Sequence, residues 1–225
     1  MELLLGLMIG VGLSAACGFR VFVPLLGMSI GNMAGHLTMS PGFEWIGSWP
    51  ALISFATAMI LEIGAYYIPW IDNIMDVAAT PVAIVAGTIV IASQVGDMSP
   101  LLKWTLAAIA GGGVCTVVQV GSVAVRAASS GTTGGFGNFI VSTLELVAAI
   151  MVTILAIVLP VVCFVAVLGI VYIMVSTILK SPLFFKRNAD LSIDRSAGWP
   201  CTMRSTTQGG ATDSESSEKQ CSSRR

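Results

Sequence analysis

Charge is what this chain has least of. Only 10% of its 225 residues are Asp, Glu, Lys or Arg, against roughly a quarter in soluble domains, which excludes an ordinary water-facing surface over most of its length. Neither sign is in excess. The net charge is −1, so no basic patch offers a surface to nucleic acid. Histidine is reduced to His36, and the cysteines Cys17, Cys115, Cys163, Cys201 and Cys221 include no CxxC pair, which argues against a zinc site and against a disulfide framework. No cofactor is expected. A basic n-region is missing as well: only Met1-Glu2 precedes the first apolar run, so that run is expected to remain as a span rather than to be cleaved. Gly111-Gly112-Gly113 is followed by no GK[ST], which excludes a phosphate-binding loop.

What is present is apolar sequence in lengths of about 20 residues, the length that spans a bilayer as helix. Such stretches run over Leu3–Ile30, Pro50–Ile68, Ile74–Val95, Leu101–Val125, Phe139–Leu159 and Val161–Leu179, and the mean hydropathy is +0.88. They predict an all-α fold, a polytopic transmembrane helix bundle of about six crossings. The first stretch is interrupted at Ala16-Cys17-Gly18-Phe19-Arg20, and Pro24 follows, so a broken and kinked first helix is expected. The last two stretches meet at Pro160 in a tight turn. Residues 1–187 form the transmembrane domain. Residues 188–225 turn rich in Ser, Thr, Gly and charge and read as a disordered cytoplasmic tail.

Small residues write the packing. Gly6, Gly10, Ser14 and Gly18 recur every four residues, Gly27, Gly31 and Gly35 repeat the device, and each stripe lets another helix approach closely. The same faces are candidates for homo-oligomer contact. Ala107, Gly111, Cys115 and Gln119 share a face, which aims Gln119 into the bundle. Lys180, Lys186 and Arg187 with Arg126 fall in segments predicted to be cytoplasmic, whereas Lys103 falls outside with Arg20 within or near the outer end of the first span. That bias predicts both termini inside. The expected location is the plasma membrane, the inner membrane if bacterial. Trp45, Trp49, Tyr66, Tyr67, Trp70 and Trp104 read as interfacial aromatics.

Against this background two acids stand out. Glu62 and Glu145 sit inside apolar stretches, in the similar settings Ile60-Leu61-Glu62-Ile63 and Thr143-Leu144-Glu145-Leu146, and an ionisable residue there points to function. Each half also offers an arginine (Arg20, Arg126) and a following proline (Pro81, Pro160). The pattern reads as a 3+3 repeat, inverted because each half would contain an odd number of crossings. Irregular backbone is expected at Ser14–Arg20 and at Ser129–Asn138, the latter holding Gly134 and Gly135, with Asn138 as helix cap. Freed N–H groups at such helix starts face anionic groups. Arg20, Glu62, Gln119, Arg126, Asn138 and Glu145 are the candidate ion pathway; Gly18, Pro24, Pro81, Gly134 and Gly135 are structural candidates.

Asp72 and Asp76 open the third crossing on one helical face and are the candidate metal pair. Membrane CDP-alcohol phosphotransferases use a comparable DxxxD pair, but the aspartate-glycine and alanine-arginine elements of that motif are missing here. The plainer reading is a capped helix start.

Gly18-Phe19-Arg20-Val21-Phe22-Val23-Pro24, Ser40-Pro41-Gly42-Phe43-Glu44-Trp45, Ser48-Trp49-Pro50, Tyr66-Tyr67-Ile68-Pro69-Trp70-Ile71-Asp72-Asn73, Ala79-Thr80-Pro81 and Thr132-Thr133-Gly134-Gly135-Phe136-Gly137-Asn138 resemble DUF4126, a family of small multi-pass membrane proteins catalogued as a domain of unknown function. The resemblance covers about residues 1–180. It implies the architecture, makes the loop Ser40–Pro50 part of the domain, and names no substrate. The residues themselves favour a transporter or channel-like protein for a small ionic solute, proton- or cation-coupled, embedded in the lipid bilayer. The alternatives are a lipid-headgroup enzyme with metal at Asp72/Asp76 and a non-catalytic structural membrane protein.

Overall fold

A computed structural model describes residues 2–96, 98–133 and 137–180, the side chains of residues 2, 69, 70, 72–74, 76, 133 and 178–180 excepted; the expected tail lies outside them. The compact unit is Met1–Thr177. Its helices are α1 (Glu2–Cys17), α2 (Phe22–Met33), α3 (Trp49–Tyr66), α4 (Pro69–Gln94), α5 (Pro100–Leu106), α6 (Gly113–Thr133), α7 (Asn138–Val158) and α8 (Pro160–Lys180). A 3-10 turn at Glu44–Gly47 precedes α3, and a π-helical turn at Ala107–Gly112 joins α5 to α6. Among the described residues five helices are long and apolar enough to cross a bilayer: Trp49–Tyr66, Val77–Gln94, Pro100–Thr132, Asn138–Val158 and Pro160–Thr177. This is the all-helical bundle the apolar stretches predict.

The first stretch is broken as expected, but its two pieces do not make one crossing. Gly6 of α1 packs on Gln94, Gly10 on Ile91, and Gly12 on Ala156, whereas Arg20 reaches Ser142. Beyond the break the chain returns: Gly27 meets Thr153, Gly31 lies near Ile157, and Ser40 bonds Ser93. Helices α1 and α2 therefore run antiparallel, as a hairpin whose arms both rest on α7. Sixteen residues of α1 extend about 24 Å at about 1.5 Å each, short of the roughly 30 Å hydrocarbon core. The hairpin enters and leaves at one end, here termed the His36 end.

Three expectations change with it. Among the described residues the long apolar helices number five, joined by the hairpin of two shorter ones where the first of about six stretches is expected to cross, so Leu3 and Thr177 lie at opposite ends of the bundle instead of on one cytoplasmic face. The halves no longer match crossing for crossing, which removes the odd count on which an inverted repeat rests. Pro24 starts a helix rather than kinking one: it sits in the first turn of α2, where a missing N–H has no intrahelical partner to lose.

The small-residue stripes are filled by the chain's own helices. A Cβ on Gly18 would strike Val118 and the Cys115 carbonyl, and one on Gly111 the Gly87 carbonyl. Ser14 Oγ adds a hydrogen bond to the Gly111 carbonyl at 2.6 Å. Self-association through these stripes would therefore need helices to separate first. Gly35 belongs to no stripe; its φ of +76° lets the chain leave α2, with His36 N–H bonding the Gly31 carbonyl at 2.9 Å. Loop residue Ser40 also accepts from Lys103 Nζ and donates to the Ala92 carbonyl, which fixes Ser40–Pro50 to the domain. Gln119 is buried with Ala107, Gly111 and Cys115, as their shared face requires, and the Pro160 turn is tight, with only Leu159 between α7 and α8.

The hairpin sets a test of topology. With native cysteines removed, Leu3→Cys and His36→Cys are expected to react with an impermeant thiol reagent from the same membrane face, and Thr132→Cys from the other. Labelling of Leu3→Cys and His36→Cys from opposite faces contradicts the hairpin.

Candidate functional site

The hairpin tip places irregular backbone among protein rather than lipid, as the lack of water in a bilayer demands. The end of α1 closes on itself, with Gly18 N–H bonding the Ala15 carbonyl and Phe19 and Arg20 N–H the Ala16 carbonyl, each at 3.1 Å. The start of α2 cannot, because its cap Val21 has no side-chain oxygen. Glu62 of α3 supplies the acceptors instead. Val21 N–H donates to its Oε1 at 3.0 Å and Phe22 N–H to its Oε2 at 3.3 Å. A carboxylate on the positive end of α2 is favourable, and more so away from water.

The other acid lies across the tip. Arg126 of α6 holds Glu145 of α7 with both Nε, at 3.1 Å from Oε1, and Nη2 on Oε2, the bidentate arrangement that suits guanidinium and carboxylate. Ser122, one turn before Arg126, donates to Glu145 Oε1. Arg20 Nη2 donates to the Ser142 carbonyl at 3.0 Å and to its hydroxyl, and lies 4.0 Å from Glu145 Oε2. Tyr66, one turn beyond Glu62, completes the site: its ring centroid lies 3.9 Å from Arg20 Cζ and 4.2 Å from Arg126 Cζ. Arg20 and Arg126 are 2% exposed, Glu62 5% and Glu145 6%. Two cations and two anions are thus enclosed at one depth, about 20 Å along α3 from Trp49 at about 1.5 Å per residue.

This cluster lies wholly inside the segment that matches a known family, the domain of unknown function DUF4126, over residues 7–180. The chain belongs to the DUF4126 family. No curated protein and no solved structure matches it.

Of the candidate residues in this DUF4126 chain, Arg20, Glu62, Arg126 and Glu145 come together. Arg20 lies buried within the first apolar stretch, at the hairpin tip, whereas the expected cytoplasmic place of Arg126 is corrected: it is buried beside Arg20. Gln119 stands two turns before Arg126 on α6. Asn138 is elsewhere. It is the first residue of α7 after the cap Gly137 rather than the cap itself, and its Nδ2 bonds Ser130 Oγ at 2.9 Å. Ser129–Thr133, expected as loop, continues α6, and Gly134 and Gly135 lie outside the described residues. Pro81 lies within α4, exposed. Asp72 and Asp76 belong to the first turns of α4, with side chains outside the described ones; among the described residues no group of three His, Cys, Asp or Glu gathers to hold a metal.

Tyr66, Ser122 and Ser142 are site residues that the sequence reading missed. Trp45, Trp49 and Trp104 are exposed as interfacial aromatics should be, whereas Tyr66, expected among them, is buried. The signal lay in helical spacing. Tyr66 follows Glu62 by a turn, and Ser122 and Ser142 precede Arg126 and Glu145 by a turn, so each shares a face with a charge.

The two acids differ in what depends on them. Glu145→Gln leaves two buried guanidiniums without their shared anion, and a loss of about 3–5 kcal/mol is expected. Glu62→Gln keeps one amide oxygen for the α2 N–H groups, and a loss of about 1–3 kcal/mol is expected. Thermal unfolding in detergent ranks them; a Glu62→Gln loss equal to or above that of Glu145→Gln contradicts these assignments.

Proposed function

We propose that this DUF4126 protein is a transport protein that moves a small charged solute through the bilayer by a proton- or cation-coupled route. One observation carries the reading: four buried charges of balanced sign surround the tip of a helical hairpin that stops inside the membrane. Intramembrane charges are costly and mark solute and ion pathways. Interrupted helices whose ends point at a charged group are the usual binding device of membrane transporters. A structural bundle has no need of either, since apolar packing serves it at lower cost.

The cluster also has the form that coupling requires. Glu145 is shared between Arg126 and Arg20, and Glu62 holds α2 by backbone donors alone. Protonation or cation binding at one acid changes the partners of the others, giving two arrangements of one buried network. For orientation, in the sequence Lys180, Lys186 and Arg187 follow the last apolar stretch, which runs toward the Asn138 end, whereas Lys103 lies at the His36 end. The excess of Lys and Arg puts the Asn138 end in the cytoplasm, with His36 and Leu3 outside. The plasma membrane, the inner membrane if bacterial, is the location we propose.

Purified protein in liposomes, screened across ion and pH gradients, is expected to show solute flux driven by the gradient. Glu62→Gln and Glu145→Gln are expected to abolish that coupled flux. Equal flux in wild type and both variants removes the acids from the mechanism.

A further inference from the structure

The start of α2 is built like an anion site that already has an occupant. Its Val21 and Phe22 N–H groups point at two oxygens of one carboxylate, and that carboxylate belongs to another helix, as a bound ligand's would. Beside it Arg20 is 2% exposed, yet its Nε and Nη1 have no partner among the described residues. Buried guanidinium donors left unmatched are costly, and Arg20 is the residue that immediately precedes Val21 and Phe22.

The occupant is also removable. The only buried side chains of α3 are Ala51, Glu62 and Tyr66, so two of the three that seat this helix belong to the charge cluster. Releasing Glu62 from Val21 and Phe22 leaves Arg20 of the hairpin tip on the Tyr66 ring of α3 and does not disturb the Arg126–Glu145 pair, which joins α6 to α7.

Charge decides what accompanies the exchange. Arg20, Arg126 and Glu145 face the Glu62 region from the hairpin, α6 and α7, with Tyr66 on α3 itself and the Cys17 thiol at the end of α1. The ionised set sums to zero. An entering monoanion adds one negative charge in a medium of low dielectric, where an unbalanced charge is strongly penalised. One proton taken from solution by the Glu62 carboxylate restores the balance and weakens its hold on the two N–H groups.

We infer that the α2 N-terminus and Arg20 form a binding site for a small oxyanion, a carboxylate or phosphate group, with Glu62 as a tethered substitute that departs on taking up one proton. This rests on the transport reading for its purpose and names the solute class: an anion entering together with a proton.

Binding and flux test the two separately. Detergent-purified protein is titrated by thermal shift with lactate, inorganic phosphate, a short-chain phosphatidate and, for comparison, sodium and potassium with an unrelated impermeant anion. For wild type, apparent anion affinity is expected to rise about tenfold per unit fall in pH while Glu62 is ionised, because one proton is bound with each anion. Glu62→Gln is expected to bind the same anion with no such slope, and Arg20→Gln to lose the binding. Response to phosphatidate alone assigns the oxyanion to a lipid headgroup, and response to lactate or inorganic phosphate to a free solute. Stabilisation by cations only, or anion binding in wild type that does not change between pH 5 and pH 8, overturns the inference. If Glu62→Gln fails to fold, the wild-type pH slope decides alone. Cation flux in liposomes without anion binding leaves transport standing and sinks the anion site; anion binding without flux does the reverse.

Discussion

A carboxylate that caps a helix from outside it closes this fold at the point where its chain reverses inside the bundle. Helix α2 begins in the middle of the bundle, where its first N–H groups are cut off from water, and its cap Val21 has no side-chain oxygen to accept them. Glu62 does so from α3. Without that acceptor the hairpin would leave buried donors unpaired away from water, at about 1–3 kcal/mol each. The hairpin, the position of α3 and the charge cluster all depend on this contact.

The remaining charges follow from the tip. Arg20 reaches the tip because α1 ends at Cys17, and a buried guanidinium needs an anion. Glu145 serves it only at 4.0 Å, because Arg126 holds both carboxylate oxygens more closely. Arg20 therefore takes Ser142 and the Tyr66 ring, and keeps Nε and Nη1 without partners among the described residues. Close packing by Gly18, Gly87 and Gly111 brings α1, α4 and α6 near enough for those distances. The π-helical turn at Ala107–Gly112 belongs to the same constraint, since it lies where Gly111 meets Gly87 and receives Ser14.

Much of this was legible in the sequence, and what was not has definite causes. Glu62 and Glu145 announced themselves because a charge in apolar sequence has few harmless explanations, and their convergence with Arg20 and Arg126 follows from the same cost. The glycine stripes gave the close helix contacts. The hairpin could not be read, because Leu3–Ile30 is apolar from end to end and hydropathy does not record direction. The reversal is carried by tertiary contacts alone, Gly12 on Ala156 and Gly27 on Thr153. Pro24 misled for a related reason: a proline kinks a helix interior but suits a first turn, and only the position of the break tells which. Tyr66 looked interfacial beside Tyr67 because neighbouring residues point to different sides of a helix, one to the charges and one outward, where its hydroxyl meets Thr143.

The central claim is that Glu62 caps α2 inside the membrane, and a distance in lipid tests it most directly. Protein carrying ¹⁵N at Val21 and ¹³C at the Glu62 carboxyl, reconstituted in bilayers, is measured by solid-state dipolar recoupling. A 3.0 Å N–H to carboxylate bond predicts strong dephasing of the carboxyl carbon by the Val21 nitrogen, from a separation of about 4 Å or less. Absence of dephasing, with the protein otherwise folded, would place the carboxylate elsewhere and contradict the account.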